Sequence, residues 1–333
     1  MIRSEFRAIT KADIPAMADL LVSRQRLESG AFPFLQNCCL NTKHATGVLE
    51  TLFLNSGIGT GAFVENELVG YIVGGIKTDP LRGRHVWVPY EGVAVREDQS
   101  PELIRALYAK VCAAWVKRGC FMHYVVVPLG NQAYFDAFQR LSFFIQQVHG
   151  AMNLGEYRPF VQASDIEVRI AGKPDREKMG RLSGIIQSYQ NLAPTFELVL
   201  PEIMAEIKAG YEDTVEDGGM TVLLAETDGE TLGFQLYEAA APGLMAPDDC
   251  VELGVAGTDS SRMKTGIGKT LMNAGCSLMR ERGFRYMITD WRITNLASST
   301  FWPKCGFQPV AYRMARYIDS NWAWARLGPH DVQ

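Results

Sequence analysis

The sequence predicts an α+β chain made of two copies of one domain, each a mixed twisted sheet flanked by helices. Three observations carry this reading. Residue n corresponds to roughly n plus 162 along much of the 333-residue chain, a spacing of whole domains rather than of a solenoid. Runs of period-two alternation are interleaved with amphipathic helical runs in both halves. In the second half, an apolar strand feeds a glycine-containing loop that opens directly into a helix.

The first copy begins with a strand over Phe6–Ile9 and a helix over Ile14–Arg26. A hairpin follows over Gly61–Glu65 and Leu68–Gly75, then a strand over Trp87–Val95. Ser100 and Pro101 suit an N-cap and first helical position, so a helix is expected over Pro101–Lys117. A strand over Met122–Val127 and a helix over Ala133–Leu141 complete this copy. In the second copy the order is a strand at Val168–Ile170, helices at Arg176–Leu192 and Glu202–Tyr211, and strands at Thr221–Glu226, Thr231–Glu238 and Val251–Ala256. Next comes a helix over Gly266–Arg282, where Ile267, Leu271, Ala274 and Leu278 form a core-facing stripe. A strand at Tyr286–Asp290, a helix at Ala297–Cys305 and a strand at Pro309–Tyr317 end the pattern; Val310, Tyr312, Met314 and Arg316 alternate as in an antiparallel edge. The expected domains are 1–155 and 166–333, joined where Gly155, Pro159 and Ser164 interrupt the periodicity.

The copies align in detail. Glu65–Tyr71 matches Asp228–Phe234, Glu91–Val95 matches Glu252–Ala256, and Asn131–Phe143 matches Asn295–Phe307 without a gap. They differ after the fourth strand. The first copy reads Arg96-Glu97-Asp98-Gln99-Ser100-Pro101-Glu102 and has no Gly-x-Gly. A missing proline N–H and three carboxylates there repel an anion. The first copy is therefore expected to persist as a structural unit without a cofactor.

The second copy reads Val251 to Lys269 through Thr265-Gly266-Ile267-Gly268-Lys269. Glycines let a ligand approach the backbone, and the free N–H groups of a first helical turn attract phosphate. Two phosphate motifs fail on spacing. A nucleotide-triphosphate loop needs glycine at 263, where Met263 stands, and the dinucleotide fingerprint needs one at 271, where Leu271 stands. The segment resembles the acyl-CoA motif [RQ]-x-x-G-x-[GA] of the GNAT superfamily of N-acetyltransferases, with Arg262 four residues before Gly266 instead of three. Asn295 to Phe307, with Ala297, Phe301, Trp302, Gly306 and Phe307, resembles the same superfamily's closing signature N-x-x-A-x-x-x-[FY]-Y-x-x-x-GF, one residue shorter between Asn and Ala.

The resemblance implies a mostly antiparallel sheet in each copy and acetyl-CoA as co-substrate. It implies cofactor contacts from Val255, Ala256 and Gly257 on the motif strand, and from Arg262, Lys264, Thr265, Gly266, Ile267, Gly268 and Lys269 in the cradle. Asn295 is the expected contact with the pantetheine arm, and Trp302 is expected to pack against the pantetheine or adenine side or to belong to the core. Glu252 is the candidate general base, with Asp290 as its competitor; the alternative is a glutamate that faces solvent or pairs with an arginine, and Glu91 at the aligned place in the first copy leaves open a structural role in both. Trp302 replaces the superfamily's usual acid, a tyrosine, so either the thiolate leaves unprotonated or another group substitutes; Tyr312 on the last strand is one candidate, its alternative being to pack in the sheet. The implied activity is acetyl transfer to an amine by direct attack; the alternative is a non-catalytic acyl-CoA sensor.

Composition excludes other classes. The net charge is −4 with no basic run, against nucleic acid as a partner. No apolar run reaches the roughly 18–20 residues of a membrane span, and Met1–Leu20 has no secretory core. Cys38, Cys39, Cys112, Cys120, Cys250, Cys276 and Cys305 are odd in number and lack C-x-x-C spacing, so reduced thiols and a cytoplasmic location are expected. His44, His85, His123, His149 and His330 are scattered, so no metal site is expected. The expected partners are a small-molecule amine acceptor and, as a homodimer, a second copy of the chain.

Overall fold

The structure, a computed structural model, describes residues 5–35, 38, 41–54, 57–161 and 165–325; Cys39, Ser164 and His330 fall outside them. In chain order the elements are β1 (Glu5–Ala8), α1 (Ile14–Ala31), α2 (Thr42–Leu54), β2 (Gly57–Val64), β3 (Glu67–Asp79), β4 (Gly83–Val88), β5 (Val93–Val95), α3 (Glu102–Val116), β6 (Met122–Pro128), α4 (Gln132–Gln139) and β7 (Phe144–Asn153). Then follow β8 (Glu167–Ile170), α5 (Arg176–Leu182), α6 (Ile185–Gln190), α7 (Pro201–Asp213), β9 (Met220–Thr227), β10 (Glu230–Ala239), β11 (Cys250–Thr258), α8 (Ile267–Glu281), β12 (Tyr286–Arg292), α9 (Leu296–Lys304) and β13 (Gln308–Tyr317).

The chain forms two compact units, one of residues 1–147 with 310–333, the other of residues 148–309. These bounds correct the expected 1–155 and 166–333. Each unit takes its last strand from the other half of the sequence. In the first unit β13 lies antiparallel to β6, with Ala311 opposite Pro128 and Tyr317 opposite Met122. In the second, β7 neighbours β12, where a side chain at Gly150 would strike the Trp291 ring at 2.5 Å.

Within the first unit the strand order is β1-β2-β3-β4-β6-β13, with β5 also on β3; within the second it is β7-β12-β11-β10-β9-β8. β1 with β2, β2 with β3, β3 with β4 and β5, β6 with β13, β8 with β9, β9 with β10 and β10 with β11 pair antiparallel, whereas β4 with β6 and β11 with β12 pair parallel. The duplication extends to side chains. Arg7 grips Asp13 through two hydrogen bonds of 3.0 and 2.7 Å, and Arg169 grips Asp175 through two of 2.8 and 2.7 Å. The hairpins carry matching bulges, at Val69 and at Leu232.

Arg169 also bonds Glu226 at 2.8 and 3.0 Å, and Lys178 reaches Glu226 at 2.6 Å. The Arg169 hydrogen bonds hold Asp175 and Glu226 well below the usual carboxylate range. A carboxyl with a depressed folded-state pKa contributes stability that is present above its unfolded pKa and is lost as pH falls through the folded one. Arg169→Ala is therefore expected to remove stability that this unit has near neutral pH and to flatten its pH dependence. Urea midpoints compared between pH 7 and pH 3 check this: the variant should lose less on acidification than the wild type.

Each core lies between sheet and helices. In the first unit Trp115, Tyr108, Phe138, Leu107 and Val125 form its centre; in the second, Phe234, Leu224, Leu236 and Met179. Helix α8 lies close over β10, because a Cβ at Gly275 would stand 1.9 Å from the Tyr237 hydroxyl. Gly275→Ala is expected to destabilise by about 1–3 kcal/mol through overpacking, read as a lower denaturation midpoint with an unchanged slope.

Candidate acyl-CoA cleft

Two strands part in the second unit. Parallel pairing between β11 and β12 covers Cys250–Tyr286, Val251–Met287 and Glu252–Ile288 and then ends. One further link ties them: the Thr289 hydroxyl donates to the Leu253 carbonyl at 2.8 Å. On its other edge β11 stays paired to β10, with Val255 opposite Leu236, Ala256 opposite Gln235 and Gly257 opposite Phe234. Leu253 lies opposite Tyr237, so Gly254 is the extra residue of a β-bulge. The bulge turns the strand where the parallel partner leaves it. Past Thr289, the backbone edge from Gly254 to Gly257 that faces away from β10 has no strand partner among the described residues.

The loop after β11 forms the second wall. Asp259 accepts from the Ser261 amide and hydroxyl at 2.8 and 2.6 Å, and the Thr265 hydroxyl donates to the Arg262 carbonyl at 2.6 Å. The chain then reverses through Lys264 at φ 67° and Gly266 at φ 101°. A left-handed backbone at Gly266 is what glycine permits at little cost, and it delivers the chain into α8. Among the described residues, the amides of Gly266, Ile267, Gly268 and Lys269 have no acceptor in the protein. Four unsatisfied donors converge there at the positive end of a four-turn helix.

The cradle's side chains divide by task. Ile267 is buried and packs toward Gly233, where an added Cβ would meet it at 2.8 Å. Gly268 serves a neighbour: its Cβ would lie 3.3 Å from the Phe301 ring. Lys269 holds its ammonium 5.3 Å from the centre of the Phe160 ring. Arg262 leans toward Glu230, at 3.9 Å between exposed groups, a pairing worth little. Lys264 and Thr265 are exposed at the mouth.

Three of the expected site residues have structural partners of their own. Asn295 is 8% exposed and caps α9, its side-chain oxygen accepting from the Ser298 amide at 3.1 Å. Asn131 caps α4 in the same way, from the Ala133 amide at 3.0 Å, so the shared asparagine is explained by helix geometry. Trp302 is 6% exposed and packs edge-on to Phe301 and Phe307 at 5.0 and 5.6 Å, as the core reading expects. Tyr312 belongs to the first unit. It lies opposite Val127 and packs on Phe135 at 5.6 Å, because β13 joins the other unit.

Glu252 lies on β11. It sits beside the parting of the strands, opposite Glu238 on β10 and Ile288 on β12. Asp290, two residues beyond Ile288, shares that face. Burial first, then the negative charges of Glu238 and Asp290, push the Glu252 carboxyl above its ordinary value. None of the three carboxylates has an ion pair or hydrogen bond among the described residues. Farther along, Arg292 pairs with Glu197 from the loop after α6, tying that loop to β12.

The first unit provides an internal control. Both hairpins share an offset of 163, since Gly70 opposes Ala62 and Gly233 opposes Ala225. Trp87 opposes Gly75 and Glu252 opposes Glu238, so Trp87 is the counterpart of Glu252 and Gly75 that of Glu238. Val93 opposes Ile72, making it the counterpart of Ala256. The expected match of Glu91 with Glu252 is corrected: the turn Tyr90–Gly92 adds two residues to the first copy's bulge. Tyr124 pairs with Trp87 as Ile288 pairs with Glu252, which makes Val126 the counterpart of Asp290. The carboxylates are therefore particular to the second unit and not required by the fold.

Among the described residues no cluster of metal-ligand side chains occurs and no helix is long and apolar enough to cross a membrane. Residues 186–307 match the acetyltransferase (GNAT) family. No curated protein sequence matches. A GCN5-related N-acetyltransferase from Sphaerobacter thermophilus is similar in structure, at 15% identity over 94% of this chain and 95% of that chain, TM-score 0.59. A tandem GNAT protein from the clavulanic acid biosynthesis pathway is similar at 15% identity over 94% and 97%, TM-score 0.52. The second unit thus carries a domain that matches the GNAT acetyltransferase family over residues 186–307, and along its length the chain shares the fold of tandem GNAT proteins.

Proposed function

We propose that the second unit transfers an acetyl group from acetyl-CoA to a cationic small-molecule amine by direct attack. The observation that carries this is the coincidence, in one unit, of four unpartnered amides at Gly266–Lys269 with a half-buried carboxyl at Glu252 beside parted strands.

The fit is specific at each end. The amides of 266–269 supply donors for a diphosphate. The open edge of Gly254–Gly257 supplies main-chain groups for the pantetheine arm and a donor for the thioester oxygen. One such donor is worth about 3 kcal/mol in acyl transfer. Glu252, ionised, takes the proton from the acceptor ammonium or from the nitrogen as it attacks the carbonyl carbon. The new C–N bond forms, the C–S bond breaks, and the thiolate leaves with the sulfur electron pair. An indole such as Trp302 cannot protonate that thiolate. Glu238 and Asp290 leave a surplus of negative charge on the acceptor side, which favours an acceptor that arrives as a cation. The loop tied by Glu197 to Arg292 borders the same face and is the expected seat of acceptor specificity.

A thiol-release assay with acetyl-CoA over a panel of mono- and diamines tests this. Turnover of cationic amines, with rates falling as salt rises, is the expected result. Tight CoA binding with no turnover of any amine would overturn the transfer reaction and favour an acyl-CoA sensor.

A further inference from the structure

The first unit has the same parting of strands, and its own side chains fill it. Parallel pairing of β4 with β6 ends at Val88–Val125, and β5 runs on against β3 alone. Arg24 of α1, 2% exposed, reaches this place: its Nη1 donates to the Tyr90 carbonyl at 2.6 Å and to the Val93 carbonyl at 2.5 Å. Its guanidinium carbon lies 4.5 Å from the centre of the Tyr90 ring. Val93 is the counterpart of Ala256 on the open edge of the second unit. The hydroxyl of Tyr134, on α4 where the second copy has Ser298, accepts from the Val95 amide at 2.9 Å. Glu28, fully buried, accepts from the Gly130 amide at 2.7 Å, and a Cβ at Gly130 would lie 2.6 Å from that carboxylate oxygen. At the same distance after the shared aspartates Asp13 and Asp175, the second copy has Ile186 in place of Arg24. Isoleucine offers no donor and packs into its unit's core.

We propose that Arg24 is a built-in occupant of the first unit's cleft: its guanidinium takes the main-chain acceptors that a pantetheine amide would use, so the chain binds a single CoA. The inference rests on reading the second unit's cleft as an acyl-CoA site. Arginine suits the task because it stays charged and presents several donors in one plane. A buried guanidinium held by carbonyls, with a carboxyl on the next helical turn, is costly to remove because its partners are left unpaired.

Calorimetric titration with CoA tests this on the full chain, using the wild type, Gly266→Glu and Arg24→Met. One CoA per wild-type chain and none per Gly266→Glu chain are expected. Arg24→Met is expected to lower the melting temperature by about 5 °C or more. If Arg24→Met does not fold, Arg24→Lys, which keeps the charge and loses the planar fork, should show a smaller loss in the same direction. Two CoA per wild-type chain, one remaining in Gly266→Glu, or an Arg24 variant as stable as the wild type would overturn the proposal. A wild type that binds no CoA would instead sink the reading of the second unit, and the stability of the Arg24 variants would still decide the role of that residue.

Discussion

Gly266→Glu is expected to lower CoA affinity by at least about 100-fold, because it acts on the cradle in two ways. A side chain at φ 101° strains the turn by roughly 1–2 kcal/mol, which tilts the amides away from a common focus. A carboxylate there also opposes the helix dipole and any diphosphate. Gly268→Ala separates cradle from packing. Its Cβ would press on Phe301 at 3.3 Å without changing charge or a left-handed turn, so a small effect on CoA affinity is expected. Equal losses from the two changes would mean that the N-terminus of α8 matters for packing alone.

Glu252→Gln should lower kcat by about 10²–10⁴, the usual share of a general base, and leave CoA affinity unchanged. The pH profile gives the sharper test. Burial, Glu238 and Asp290 raise the Glu252 pKa, so the wild-type rate should climb with pH through a value above the ordinary carboxyl range and then level off. The glutamine variant should lose that limb. Folding is not the confounder. A carboxyl whose folded pKa is raised is favoured by folding in its protonated form, so its ionised form detracts from stability above that pKa. Glutamine removes that penalty, and the variant should be no less stable near neutral pH. Asp290→Asn is the matched control: a larger loss there than at Glu252 would transfer the base to Asp290.

Much of this was legible in the residues. The duplication, the interleaved elements, and the strand–Gly-x-Gly–helix unit are local patterns, and α8 and β11 stand where periodicity places them. What escaped was non-local. The polar alternation Gln146, Gln147, His149 of β7 does not announce a strand, and α2 carries Thr42, His44 and Gly47, which blur a helical signal. The expected helix Arg176–Leu192 divides at Ser183–Gly184 into α5 and α6. Exchange of β7 and β13 between units leaves no mark in either segment, so Tyr312 was drawn to the wrong unit. For Asn295 and Trp302 the motif records that a residue recurs, not that the first caps a helix and the second lies in a core. Arg24 carried no signal either: inside an amphipathic helix it looks like a surface charge, and only its burial against Tyr90 and Val93 reveals its task.

Crystals of the full chain grown with CoA test the central claim most directly. The expected density places the diphosphate on the amides of residues 266–269 and the pantetheine arm along Gly254–Gly257, with nothing beside Arg24. Density for CoA between β5 and β6, or none in the second unit at saturating concentration, would contradict it.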